Sequence, residues 1–327
     1  MKKILIFVLS ALMITCLSSC DESTTLAGKP GDVLIVMDSD DWKGELGEAV
    51  RAKLTEDYPM LPQSEARFKL SNVSHSSFGD VYKEFRNIII FDPHTRHNKV
   101  SYRDGVWAPK QYVINVDAES AEMAKELFES KADEIIIRLE NAERNRLIAN
   151  NKEYSAPGVE QEISRVFGGT PALPHGAKIF KQTSDFMWVS ICHTDKIKKY
   201  FLIYKYPIDD PEKAMSIDSI IGKNKAVMNK NIPGPQEGSY MTHSKFEQPS
   251  MRIIKRKNRN IAEIRGLWEV ENDYMGGPFV SHESISPDGK YMVGITGFVY
   301  APRYDKIQHM REVEAVVYSF KFPGEEN

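Results

Sequence analysis

The alternation of apolar and polar blocks predicts two folded parts behind a short apolar start. Lys2 and Lys3 open the chain, and Ile4 to Leu17 form an almost uncharged run. At ~14 residues it is shorter than the ~20 needed to span a bilayer as a helix. Asp32 to Met37 reads as a buried strand, and a helix follows from Trp42 to Leu54 with Leu46, Ala49, Val50 and Leu54 on one face. Tyr58 to Pro62 breaks it. Phe68 to His75 predicts a strand, Phe78 to Phe85 a short helix, and Asn87 to Phe91 the clearest buried strand. Lys99 to Tyr102, the Asp104-Gly105 turn and Val106 onward predict a hairpin, with a further strand over Gln111 to Val116. Asp117 is placed to cap a long helix from Ala118 to Asn150, one face of which carries Met123, Leu127, Ala132, Ile135, Leu139, Ala142 and Leu147.

Asn151 to Pro157 reads as a linker. Beyond it, strands are predicted over Ala177–Phe180, Phe186–Cys192, Tyr200–Tyr206, Met251–Ile254, Ile261–Val270, Lys290–Tyr300 and Val313–Phe320. One helix is predicted from Pro211, capped by Asp210, to Asn229. Three strands thus run into an acidic cap and a helix, after Met37, Val116 and Tyr206. The expected fold class is α+β: an N-terminal α/β half with a sheet under a long covering helix, and a C-terminal, mostly antiparallel sheet with one main helix. The corresponding segments are a signal peptide over 1–19, a tether over 20–30, an N-terminal domain over 31–152 and a C-terminal domain over 153–327.

Composition adds little specificity. The 327 residues suit about two domains. A net charge of −3 gives no electrostatic footprint for nucleic acid. The cysteines are Cys16, Cys20 and Cys192. Only Cys192 would remain in the body apart from the Cys20 site, so no internal disulfide is expected and Cys192 reads as a small buried hydrophobe.

The apolar start ends in Leu17-Ser18-Ser19-Cys20. This resembles the bacterial lipobox, and the resemblance implies diacylglyceryl transfer to the Cys20 thiol and cleavage before it. Asp21-Glu22 resembles the surface-export signal of Bacteroidetes-type lipoproteins; the same aspartate marks inner-membrane retention in enteric bacteria, so the motif leaves the leaflet open.

Chemical candidates in the body are sparse. Asp38, Asp40 and Asp41 follow the first strand, and Asp92, His94 and His97 follow the Ile88-Ile89-Ile90 strand. If those strands are parallel neighbours, both loops leave the same sheet edge, where carboxylates and imidazoles serve a divalent metal or acid–base chemistry. The spacing fits no established metal motif, and helix capping on a wet loop is the competing reading. The basic stretch Lys255-Arg256-Lys257-Asn258-Arg259 reads as a hairpin tip, and Ser286-Pro287-Asp288-Gly289-Lys290 as a tight turn. Trp268, Tyr274, Phe279 and Tyr300 would either line an aromatic groove or pack a core. No cofactor motif is present.

Arg265-Gly266-Leu267-Trp268, Met275-Gly276-Gly277-Pro278-Phe279 and Gly297-Phe298-Val299-Tyr300-Ala301-Pro302, with the lipobox and Asp21-Glu22, resemble an uncharacterised family of Bacteroidetes lipoproteins. The resemblance implies a lipid-anchored envelope protein, held on the outer membrane through Cys20, and carries no catalytic residues. The expected function is a binding or envelope-assembly module with a glycan, peptide or envelope-protein partner. A metal-assisted hydrolase using Asp38, Asp92, His94 and His97 is one alternative, and a structural envelope spacer is another.

Overall fold

A computed structural model describes residues 26–191, 196–256 and 259–325. Cys16, Cys20, residues 21–25, Cys192, Lys257 and Asn258 lie outside the described residues. The N-terminal half runs β1 (Asp32–Val36), α1 (Ser39–Lys43), α2 (Glu45–Leu54), β2 (Lys69–Val73), a single turn α3 (Asp80–Lys83), β3 (Asn87–Asp92), β4 (Lys99–Asp104), β5 (Tyr112–Asp117) and α4 (Ala121–Glu153). The sheet order is β2-β1-β3-β5-β4; all pairs are parallel except β4 with β5. β1, β3 and β5 are runs of Val, Ile and Leu buried on both faces, as central parallel strands must be. On one face, Ala124, Phe128, Ala132, Ile135 and Leu139 of α4 meet Leu46, Val50 and Leu54 of α2. On the other, Phe78, Phe85 and Val106 cover Leu34, Val36, Ile88 and Val113.

Two local readings change here. Val106 opens the connection between β4 and β5, which pair directly from Asp104↔Tyr112 to Lys99↔Asp117. Because Asp117 is still in that ladder, the cap of α4 falls to Ser120, whose Oγ accepts from the Met123 amide at 3.2 Å.

The C-terminal half runs α5 (Pro157–Phe167), β6 (Lys178–Gln182), β7 (Phe186–Ser190), β8 (Lys198–Pro207), α6 (Pro211–Ala214), α7 (Ile217–Asn231), β9 (Met241–His243), β10 (Ser250–Arg256), β11 (Arg259–Val270), β12 (Gly276–Ile285), β13 (Tyr291–Tyr300) and α8 (Ile307–Ser319). The antiparallel order is β10-β11-β12-β13-β8-β7-β6, with β9 also on β11. α7 packs over one face, against Leu202, Ala262, Ile264 and Phe279. α8 packs over the other, against Phe201, Ile203, Val280 and Ile295.

The expected strand over Val313–Phe320 is therefore a helix. α8 lies between the sheet and the N-terminal half, and Val313, Glu314, Ala315, Val316 and Val317 are all buried. Read alone, Val313–Phe320 carries three valines and a single charge, which favours strand; the helical spacing Ile307, Met310, Val313 and Val317 begins upstream of it. The expected linker is shorter: α4 reaches Glu153 and α5 starts at Pro157, a proline-led helix missed in the sequence. β12 is also new, since its opening glycines masked a strand. The helix expected from Pro211 to Asn229 is broken at Met215 and restarts with Ser216 as its cap. Of the expected acidic caps, Asp210 accepts from the Glu212 and Lys213 amides, while Asp38 makes no cap hydrogen bond.

The halves are joined along α8. Glu65 accepts from the Lys306 and Ile307 amides and so caps its N-terminus. Arg311 donates to the carbonyls of Pro30 and Arg67.

Candidate functional site

β1 and β3 are parallel neighbours, with Leu34 opposite Ile88, so the loops after them leave the same edge. Asp38 is exposed there. Its Oδ1 accepts from the His75 amide at 3.0 Å and lies 3.3 Å from His75 Nδ1. These hydrogen bonds hold the Asp38 carboxyl below its ordinary range. His75 was not singled out in the sequence, because only the pairing of β2 with β1 brings it beside Asp38. Asp92 is half-buried and accepts from the His94 amide at 3.4 Å; His94 and His97 are exposed. Asp40 and Asp41 sit in the first turn of α1, where negative charge opposes the positive end of the helix dipole. The edge thus gathers carboxylates and imidazoles, but among the described residues no group of three or more His, Cys, Asp and Glu side chains is placed to hold a metal ion.

The four aromatic candidates separate. Trp268 is buried and its Nε1 donates to the Val299 carbonyl at 3.2 Å; half-buried Tyr300 lies 6.2 Å from it, ring to ring. Phe279 is buried and stacks on His243 at 5.1 Å. Tyr274 is fully exposed on the β11–β12 turn. A different aromatic group is built at the far edge of the sheet. The pairing of β6 with β7 slips between Ile179 and Lys181, and Phe180 is the residue left over at this bulge. The bulge lays its ring on Trp188 (5.7 Å) and Tyr200 (6.0 Å), which touch each other at 5.5 Å. Tyr200 continues to the buried Phe298 at 5.4 Å. Phe180 stays 62% exposed, and the buried Trp188 Nε1 has no hydrogen-bond partner among the described residues. In the sequence Phe180, Trp188 and Tyr200 fall within expected strands and none of them is singled out, and the bulge that completes the ledge leaves no mark there.

Two buried polar clusters were also missed. Under α7, Tyr204 Oη donates to Glu283 Oε1 at 2.6 Å and Tyr206 Oη to Oε2 at 3.1 Å. Asn224 of α7 donates to Tyr204, Ser281 and Thr296, and its carbonyl lies 2.8 Å from His243 Nε2. Burial pushes the Glu283 carboxyl up to about 7 and the His243 imidazole down to about 4.

Under α8, Glu263 faces His282 (3.2 Å), Arg252 (2.6 Å) and Arg265 (3.1 Å), and accepts from Tyr318. Arg265 also reaches Glu314 at 2.5 Å, and Glu314 meets Arg144 of α4 at 3.4 Å and Tyr58. Burial alone would raise the Glu263 and Glu314 carboxyls. The His282 hydrogen bond and Arg265 charge at Glu263, and the Arg265 and Arg144 charges at Glu314, reverse this and hold both below the ordinary range. Each of these carboxylates is saturated by protein groups, so the second cluster is a bridge between the halves and leaves no open coordination for a substrate.

Two family models match the chain. Residues 157–319 match a domain of unknown function (DUF4837), and residues 27–152 match another domain of unknown function (DUF8532). The gap between them falls where α4 gives way to α5. No curated protein matches the chain. Among solved structures, it is similar to a protein from Bacteroides thetaiotaomicron VPI-5482, at 13% identity over 49% of this chain and 47% of that one, with a TM-score of 0.26. It is also similar to the human StarD13 (DLC2) lipid transfer and protein localization domain, at 10% identity over 50% of this chain and 95% of that one, with a TM-score of 0.23. The chain spans less than half the length of the Bacteroides protein.

Proposed function

We propose that this is a lipid-anchored envelope protein of a Bacteroidetes-type bacterium, held on the outer membrane through Cys20, whose body binds an envelope component without catalysis. The anchor rests on Leu17-Ser18-Ser19-Cys20 behind an apolar run too short to span. The observation that carries the binding role is the ledge of Phe180, Trp188 and Tyr200. It is an aromatic surface at a sheet edge, whose outermost ring, Phe180, is kept 62% exposed by a bulge. An exposed aromatic face suits the apolar face of a sugar ring, so a glycan is favoured over an extended peptide. The same bulge disrupts the backbone edge that a peptide strand would need for pairing.

The Asp38, Asp92, His94 and His97 edge supports a hydrolase less well, because Asp38 is committed to His75 and the described side chains form no three-ligand group. The test has two parts. Mass spectrometry of the protein from native membranes should find acyl mass on Cys20 at a new N-terminus. Titration against soluble peptidoglycan fragments and bacterial surface oligosaccharides should find a binder whose affinity falls at least tenfold in Phe180→Ala with little change in melting temperature. Equal binding by wild type and variant would discard the ledge.

A further inference from the structure

The parallel sheet is covered unequally. α2 and α4 bury one face, while among the described residues the other is covered by the single turn α3 and the β4–β5 connection. Outside Phe78 and Val106 on that thin side, Val81 is 80% exposed, Tyr82 38% and Trp107 40%. Trp107 stands edge-on to Phe78 at 5.5 Å. The two segments are tied together by Gln111, whose Nε2 donates to the carbonyls of Lys83 and Phe85, both at 2.6 Å, and whose Oε1 accepts from the Trp107 amide at 3.2 Å. The patch is therefore a fixed surface.

The start of the body is fastened to this same place. The Ala27 amide donates to the Glu84 carbonyl at 2.9 Å, its carbonyl accepts from the Arg86 amide at 3.1 Å, and it bridges Phe85 in parallel. Ala27 to Pro30, read as tether in the sequence, thus lie against the body. Only residues 21–26 separate Cys20 from Ala27, a reach of at most roughly 25 Å.

We propose that Val81, Tyr82 and Trp107 form the face by which the body docks on the lipid bilayer, an inference that rests on the lipidation of Cys20 proposed above. Tryptophan and tyrosine settle at the headgroup level, and the exposed valine adds apolar area beneath them. Three such side chains bind a free membrane weakly. A short tether makes the contact intramolecular, at an effective concentration in the millimolar range, so weak partitioning suffices. The rim mixes signs: Lys29, Glu84 and Lys110 are exposed, and Lys83 pairs with Asp80 at 2.9 Å. Docking is accordingly by apolar insertion and insensitive to salt. It turns the opposite edge of the sheet, with Asp38, Asp92 and His94, away from the membrane.

The test uses the full lipidated chain in phosphatidylcholine vesicles with brominated acyl chains, which quench tryptophan at the interface. Trp107→Phe should remove more than half of the quenching, whereas Trp42→Phe, at the opposite edge, should keep it. Val81→Asp with Tyr82→Asp should cut quenching at least threefold while leaving the melting temperature in place. Equal quenching in wild type and Trp107→Phe, on protein whose Cys20 carries acyl mass, would overturn the docking face and spare the anchor. An unmodified Cys20 in mass spectra of the same sample would overturn the anchor and this orientation with it.

Discussion

At the scale of single residues, the most consequential group is Glu283, a carboxyl fully buried among hydroxyls and an amide, with no cation paired to it among the described residues. Its folded value of about 7 lies above its ordinary value of 4.5, so between those limits the folded state holds a proton that the unfolded state has lost. Its contribution is fully present below about 4.5 and fades as pH rises through about 7, by about 3 kcal/mol over the whole window. His243 works in the other direction: lowered to about 4 by burial, it costs stability as pH falls from 6.5 through 4. The two overlap, so the clean measurement is a difference. Glu283→Gln should be the more stable protein at pH 8 and should lose the decline between pH 5 and 8 seen for wild type in urea midpoints. Parallel profiles would show that Glu283 titrates normally. Neither residue stood out in the sequence, where Glu283 reads as one polar position in a strand. Its environment is assembled from β8, α7, β9 and β13, far apart along the chain.

At the scale of elements, the legible ones are those with one wet face or two clear ends. α4 shows its stripe because its outer face is polar, and β3 stands out because Asn87-Ile88-Ile89-Ile90-Phe91 is short and apolar between polar flanks. α8 defeats the same reading because its valine-rich second half, taken alone, favours strand. Its seat on the sheet is set by a glycine: a Cβ at Gly297 would lie 2.4 Å from Val313 Cγ1 and 3.1 Å from Val317 Cγ2. Gly297→Ala should therefore cost about 1–3 kcal/mol by overpacking. In a background that already carries Val313→Ala the cost should shrink by at least about 0.5 kcal/mol, because the added methyl then fills the vacated space. Strict additivity in a denaturant double-mutant cycle would mean that the helix shifts freely over β13.

At the scale of the whole molecule, α8 and α4 join the halves through a buried chain of charges: Arg144, Glu314, Arg265 and Glu263. Removing the Glu314 carboxylate leaves the Arg144 guanidinium without its acidic partner and Arg265 with Glu263 alone. Glu314→Gln should cost roughly 3–5 kcal/mol in urea unfolding; a loss below about 1 kcal/mol would show that apolar packing alone holds the halves together. The residues of this bridge are scattered over more than half the chain, and the sequence offered none of them as partners. What the sequence determined by itself was whatever depends on neighbours along the chain: the mixed α+β class, the long helix, the central strands and the lipobox-like start. Those features are local because hydrophobic period, capping and turn chemistry act within a few residues. The tertiary structure alone decided that Asp38 faces His75, that Phe279 packs in the core while Phe180 is held out by a bulge, and that the last apolar run winds as a helix. Each depends on which surface arrives from a distant segment to exclude water, and a single chain read in order does not contain that information.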